Sequence, residues 1–332
     1  MPKKYHVAIV GATGAVGIEL LRVMEKRDFP VGDLRLLASP RSAGKETEFR
    51  GRKFAVEALC HDSFADVDLA FFSAGAHIAK QFGPVAQQAG AVVIDNSSAF
   101  RLDDEVPLII PEINPDDVRG HRGIIANPNC TTAVALMALY PLHRAFGLSR
   151  VFAASYQAVS GSGARAIEEL RRQILSVANG GEAIAEVYPH PIAFNVLPHV
   201  DSFLENGYTR EEMKLQNEGR KMMHLPDFHA SLTCVRVPVY RAHSVAISAQ
   251  FERPVSLDAA RDVLAKAPGL DLIDEPGANR YPTPLAAAGK DNCQAGRLRL
   301  DCALENSLSL WVAGDQLLKG AALNAIQIAE LL

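Results

Sequence analysis

The first seventeen residues constrain the fold more tightly than any other stretch of the chain. Tyr5 to Val10 is a short apolar run carrying β-branched Val7, Ile9 and Val10. It is too short for a helix and reads as a buried strand. Glycines follow at Gly11, Gly14 and Gly17, and Val16, Leu20, Leu21, Val23 and Met24 then recur at helical spacing through Lys26. A strand, a glycine turn and an amphipathic helix in that order form a dinucleotide-binding unit. The glycines let backbone approach a pyrophosphate, and the helix N-terminus favours its negative charge. The turn residues Gly11, Thr13, Gly14, Ala15 and Val16 are therefore candidate cofactor contacts.

The pattern repeats in kind. Leu34 to Ala38, Leu69 to Ser73, Ala91 to Asp95 and Ile124 to Ala126 read as strands, and Ala76 to Ala89 as a helix. Alternating β and α elements predict a doubly wound parallel sheet with right-handed crossovers. Past residue 130 the texture changes. Helices are expected at Thr131 to Phe146, Ala166 to Ala178, Ser256 to Lys266 and Gln316 to Leu331, with strands at Val151 to Ala158, Val245 to Phe251 and Leu308 to Ala313. Ser256 is the expected N-cap of its helix. Pro189, Pro191 and Pro198 mark an irregular excursion, and the stretch from Arg171 to Phe203 receives no role. A length of 332 residues suits two domains. The fold class is α/β: a Rossmann-like domain over residues 1–129, an α+β domain over 130–314, expected to carry the chemistry and a dimer contact if the resemblance given below holds, and a last helix, 315–332, returning to the first.

An NAD-preferring site usually places an acid about 20 residues after the glycine turn, at the end of the second strand. Here that strand runs into Ser39-Pro40-Arg41-Ser42-Ala43-Gly44-Lys45, with hydroxyls and cations and no acid. Ser39, Arg41 and Ser42 suit a 2′-phosphate, which a guanidinium can grip with two parallel hydrogen bonds. NADP(H) is the expected cofactor. A net charge of −4 gives no basic excess for nucleic acid. No run approaches the roughly 18 apolar residues of a membrane span, and the N-terminus has no signal-peptide pattern, so a soluble cytoplasmic chain is expected.

Five cysteines, odd in number and without a CxxC pair, argue against a zinc site or a disulfide framework; no metal is expected. Cys130, in Asn127-Pro128-Asn129-Cys130-Thr131-Thr132, sits between a strand end and a helix start. There the helix dipole favours a thiolate. The other four read as packing residues. A nucleophilic thiol needs a proton-transfer partner. His243 precedes a strongly β-patterned run, but spacing alone does not select it from ten histidines.

The glycine turn, Asp95-Asn96-Ser97-Ser98-Ala99-Phe100-Arg101, the Cys130 segment and Tyr156-Gln157-Ala158-Val159-Ser160-Gly161 together bring a known family into view. So do Arg210-Glu211-Glu212-Met213-Lys214, Arg236-Val237-Pro238-Val239, Arg241-Ala242-His243-Ser244 and Gly314-Asp315-Gln316-Leu317-Leu318-Lys319-Gly320. The chain resembles the aspartate-β-semialdehyde dehydrogenase family along nearly its full length. The resemblance implies NADPH-dependent reductive dephosphorylation of L-aspartyl-β-phosphate to aspartate semialdehyde and phosphate. It makes Cys130 the nucleophile, Gln157 the residue orienting the acyl intermediate and His243 the general acid/base. Arg236 would bind the substrate carboxylate, Glu211 the amino group, and Arg101, Lys214 and Asn129 the phosphate. Ser160, Gly161 and Gln316 fall to the cofactor side, with Gln316 standing where the family often has asparagine. A homodimer is implied, with a tetramer as the alternative, in the route from aspartate to lysine, diaminopimelate, threonine, methionine and isoleucine.

The chemistry suits a thiol. Attack on the acyl phosphate expels phosphate and leaves a thioester, which accepts hydride more readily than a carboxylate. N-acetyl-γ-glutamyl-phosphate reductases run the same chemistry on a longer, acylated substrate. They typically carry Pro-Gly-Cys where this chain has Pro128-Asn129-Cys130, and they have no use for an acid such as Glu211. An inactive NADP-binding paralogue is the reading from another class; the thiol, the amide and the imidazole are all present here.

Overall fold

A computed structural model describes residues 4–332. The chain divides into two compact units: unit 1 runs to Asn129 and includes Ala321–Leu332, and unit 2 is Cys130–Gly320.

Unit 1 is built on β1 (Tyr5–Val10), α1 (Ala15–Lys26), β2 (Val31–Ala38), β3 (Glu46–Phe49), β4 (Arg52–Ala58), β5 (Leu69–Phe72), α2 (Ala76–Gln88), β6 (Val92–Asp95) and β7 (Ile124–Ala126). The seven strands form one sheet in the order β3-β4-β2-β1-β5-β6-β7. Every pairing is parallel except β3 with β4, which is antiparallel at the edge. The chain moves outward from β1 to β2 and later returns to β5 on the other side of β1. The carboxyl ends of β1, β2 and β5 therefore border the crevice where such sheets bind ligands. β5 is buried throughout and β1 from Val7 onward, as expected of parallel strands covered on both faces. The β3–β4 pair and the start of β2 at Val31 extend beyond the sequence expectation. β4 exposes most of its residues and buries only Val56, so its apolar signal is weak.

Unit 2 contains α3 (Cys130–Phe146), β8 (Leu148–Gln157), α4 (Ala164–Ala178), α5 (Arg210–Met222), β9 (His229–Arg236), β10 (His243–Phe251), α6 (Leu257–Ala265), β11 (Leu270–Leu272), α7 (Pro284–Ala287), β12 (Cys293–Leu300) and β13 (Ser307–Gly314). Its six strands pair in the order β11-β12-β13-β10-β8-β9. α3 is apolar nearly all round and packs on β8, β10 and β13. Ser256 does cap α6, accepting from the Ala259 N–H at 3.3 Å. The opposite face of the sheet carries Phe152, Tyr156 and Trp311, with the Tyr156 and Trp311 rings 5.2 Å apart.

The expected helix from Gln316 to Leu331 begins at Leu318 and opens with a π-helical turn. Leu318–Ala322 forms a π-helical turn, and α8 spans Leu323–Ala329. The chain re-enters unit 1 at Ala321 rather than Asp315. There α8 packs on α1 and β6, Asn324 donates to the Ile109 carbonyl at 2.8 Å, and Arg27 forks onto Glu330 at 2.7 and 2.6 Å. Of the cysteines read as packing, Cys234 and Cys293 are buried, but Cys60 and Cys302 are exposed. Both exposed thiols lie in short connecting segments outside the strands, where no core faces them.

Candidate active site and nucleotide cavity

In unit 1 the glycine turn is shaped by close approach. Gly11 has φ +91°, and a Cβ there would stand 2.8 Å from the Ser73 carbonyl oxygen. A Cβ at Gly17 would overlap the Gly11 carbonyl oxygen. No side chain caps α1 at Gly14, so the first N–H groups of the helix face the turn without a side-chain acceptor there. A cavity of about 480 Å³ opens at this point, lined by Gly11, Thr13 and Gly14 from the turn, Ala38, Ser39 and Pro40 from the end of β2, and Leu59, Ser73, Ile78 and Phe82. No carboxylate lines it. Ser39 and Arg41 are exposed and Ser42 is half-buried in the turn after β2; Ala15 and Val16 open α1. This set fits a dinucleotide: glycine backbone for phosphates, an apolar slot for a flat ring, and hydroxyls with a guanidinium beside it.

Arg101 and Asn129 also belong to unit 1, and both are buried. The Arg101 guanidinium donates to the Asn127 and Asn96 carbonyls, each at 2.9 Å, so part of its donor set fixes its own loop.

In unit 2 strand register gathers the other candidates. Gln157 pairs with Arg236 where parallel β8 and β9 both end. Antiparallel β10 begins beside them, with Ser244 opposite Tyr156, which brings His243 to the same edge. Gln157, Arg236 and His243 are all buried. The Gln157 Nε2 donates to Ser155 Oγ and to Glu211 Oε1, each at 3.2 Å. Glu211 sits in the first turn of α5, whose N-cap Thr209 forms a capping box with Glu212. Lys214, one turn on, donates to Glu211 at 2.7 Å and to Asp201 at 3.3 Å. A phosphate at Lys214 would have to share it with two carboxylates.

The imidazole is held in one tautomer. The Ala158 N–H donates to His243 Nδ1 at 3.1 Å, which leaves the ring proton on Nε2. Among the described residues, that buried Nε2 has no hydrogen-bond partner. Burial first, and then the Arg236 charge, lower the His243 pKa to about 3, with Glu211 opposing. The resting ring is neutral and offers an N–H. A Cβ at Gly161 would stand 2.9 Å from Arg236 Nη1 and 3.2 Å from His243 Nε2, so the bare glycine backbone lies directly on both groups. Gln316 ties the same corner together. Its Nε2 donates to Ser160 Oγ and its Oε1 accepts from the Ala242 N–H at 2.8 Å. Ala242 carries φ +72°, a strained conformation immediately before His243.

Cys130 is the first residue of α3 and is partly exposed. Gly320, in the π-helical turn, packs on it: a Cβ there would come within 2.7 Å of Cys130 Cβ. The sequence reading gave no role to Gly320, Ala158 or Asp315. Asp315 is buried and accepts from Arg241 Nε at 2.5 Å and the Gly289 N–H at 2.6 Å, fixing the turn that leads to His243. The motifs around these residues were visible, but main-chain contacts between distant segments leave no residue-type signature.

An α/β unit with a glycine-lined cavity, joined to an α+β unit that carries a partly exposed thiol and a buried imidazole, defines a class, and the comparisons agree. Residues 6–121 match the semialdehyde dehydrogenase NAD binding domain, and residues 139–319 match the semialdehyde dehydrogenase dimerisation domain. The aspartate-semialdehyde dehydrogenase of Synechocystis sp. is 48% identical over 100% of this chain and 98% of its own length, and that of Aquifex aeolicus is 50% identical over 99% and 98%. The structure of aspartate semialdehyde dehydrogenase II from Vibrio cholerae, complexed with ASA, superposes with TM-score 0.95 at 41% identity, covering 99% of this chain and 98% of that one. The chain is a semialdehyde dehydrogenase by both of its domains. Within that class it belongs to the aspartate-semialdehyde dehydrogenase family.

Proposed function

We propose that the chain reduces L-aspartyl-β-phosphate to L-aspartate semialdehyde, reversibly, through a thioester on Cys130. The observation that carries this reading is the convergence of Gln157, Arg236 and His243 at one strand edge on buried, partly unsatisfied polar atoms. Buried donors without partners are costly unless a ligand completes them. Arg236 Nε and His243 Nε2 are two such donors.

In this reading Arg236 binds the substrate α-carboxylate and Glu211 its ammonium. The Cys130 sulfur attacks the acyl carbon, the carbon–oxygen bond to phosphate breaks, and phosphate leaves with its electron pair. Arg101, Asn129 and Lys214 stabilise that leaving charge. His243 presents its Nε2 proton to the carbonyl oxygen as it becomes tetrahedral and charged, and Gln157 holds the acyl group in place. A bound nicotinamide supplies the hydride that takes the thioester to the aldehyde level. The carbon–sulfur bond then breaks as the oxyanion collapses, returning the Cys130 thiolate that began the cycle and releasing the semialdehyde.

We assign NADP(H) to the cavity of unit 1, held by the Gly11–Val16 turn, with Ser39, Arg41 and Ser42 on the 2′-phosphate. The absence of a carboxylate among the lining residues supports this choice over NAD. Ser160, Gly161 and Gln316 form the cofactor-side wall of the chemistry in unit 2. We propose a homodimer formed through the open sheet face of Phe152, Tyr156 and Trp311; the buried Trp311 Nε1 has no partner among the described residues. Among the described residues no helix is long and apolar enough to cross a membrane, and none of the five cysteines forms a disulfide, which fits a reducing compartment such as the cytoplasm.

The test offers purified protein L-aspartate semialdehyde or N-acetylglutamate semialdehyde, each with phosphate and with NADP or NAD. Reduction of NADP with the first substrate alone is expected. Preference for the acylated substrate would overturn the reading.

A further inference from the structure

The excursion between α4 and α5 acquires a role from what it does to Arg236. The backbone of Arg236 is fixed by two hydrogen bonds with Leu197, at 2.7 and 2.9 Å. Its guanidinium is buried, and Nη1 donates to the Ala158 carbonyl at 2.7 Å. The guanidinium carbon lies 5.8 Å from the centroid of the Tyr188 ring. The Tyr188 hydroxyl in turn donates to the Val159 carbonyl at 3.4 Å, in the turn that carries Gly161.

Tyr188 is itself firmly placed. Glu169 on α4 accepts from the Val187 N–H. Gln173, one turn further, accepts from the Ile192 and Ala193 N–H groups, each at 2.9 Å. Val159, Ala166, Leu170, Ile192 and Leu197 form an apolar cluster against which Tyr188 packs. A side chain this well anchored is a rigid wall.

We infer that Tyr188 is a positioning residue for Arg236, confining the guanidinium against its ring so that the remaining N–H donors meet the substrate carboxylate. This rests on the reading of Arg236 as the carboxylate-binding group. The choice of an aromatic face has a physical logic. A carboxylate partner would occupy the donors and neutralise the charge that the substrate needs. A ring face attracts the cation and takes up none of the N–H donors that remain.

The test compares Tyr188→Leu, which keeps apolar bulk and removes the π face, with Tyr188→Phe, which keeps the ring. Tyr188→Leu is expected to raise KM for aspartate semialdehyde about five- to tenfold with kcat within about twofold, in keeping with a cation–π contact at a desolvated site. KM for NADP and for phosphate should stay within about twofold, and Tyr188→Phe should restore the semialdehyde KM. In an Arg236→Leu background, Tyr188→Leu should add no further loss in kcat/KM. Tyr188→Met replaces the Leu variant should that one fail to fold. An unchanged semialdehyde KM in the Leu variant, an equal rise in all three KM values, or full additivity with Arg236→Leu would overturn the inference. Arg236→Leu leaving the semialdehyde KM intact would overturn instead the assignment of Arg236.

Discussion

The glycine turn of unit 1 and the strand edge of unit 2 solve the same problem in opposite ways. Each must bring polar atoms close to a ligand. The turn does so within seven consecutive residues, using the absence of side chains at Gly11, Gly14 and Gly17. The strand edge uses residues from β8, β9, β10 and α5, aligned only by sheet register. A local device tolerates changes elsewhere in the chain. An assembled one depends on every main-chain contact that holds its members in line, including Gly161, Gly320 and the Ala158 N–H. The two should therefore fail independently, and in different measurable quantities.

The largest separation is expected for Cys130→Ala. Turnover should fall by about 10⁴-fold or more, while NADP affinity, measured by fluorescence titration, stays within about twofold. Loss of both together would break the distinction. Gly320→Ala should come next. Its Cβ would press on Cys130, and a displacement of about 1 Å at a reacting group can cost roughly 100-fold in kcat/KM. A variant with normal kinetics would show that the contact yields. Arg41→Gln probes the other side. Loss of charge-assisted hydrogen bonds at an exposed site should raise KM for NADP about tenfold and leave the use of NAD unchanged.

The remaining effect is on stability, read as a slope against pH. Burial lowers the folded pKa of His243 to about 3 from the ordinary imidazole value of 6.5. Between those values the unfolded chain binds a proton that the folded chain does not. The contribution is thus fully present above about pH 6.5 and is lost as pH falls toward about 3. Thermal melts of His243→Gln should show a shallower fall of Tm over that window. His143, also lowered by burial, acts in the same direction and leaves some slope behind. An unchanged slope would mean that His243 is charged in the folded state.

The contrast between the regions also explains what could be read without coordinates. β1, the turn and α1 were legible because a buried parallel strand, three glycines and a 3.6-residue period are all local signals. Family resemblance, not spacing, picked out Gln157, His243, Arg236 and Glu211. α5 was hidden because it buries acids: Glu211, Glu212 and Glu218 face inward where an apolar stripe would be sought. Their burial is made possible by partners distant in sequence, such as the Cys234 N–H that donates to Glu212 at 2.9 Å. The π-helical opening of the last helix was hidden for a different reason. Leu318 to Ala322 reads as an ordinary helix by residue type, and the π turn is where Gly320 seats closely on Cys130.

The proposed reaction requires the acyl group to reside on Cys130. Enzyme mixed with aspartate semialdehyde and NADP, with phosphate omitted, should release a burst of about one NADPH per subunit and then stall. Mass analysis of the acid-quenched protein should place an aspartyl group on the Cys130 peptide, and Cys130→Ala should show neither burst nor adduct. A full burst with the label on another residue, or steady turnover with Cys130 unmodified, would contradict the mechanism.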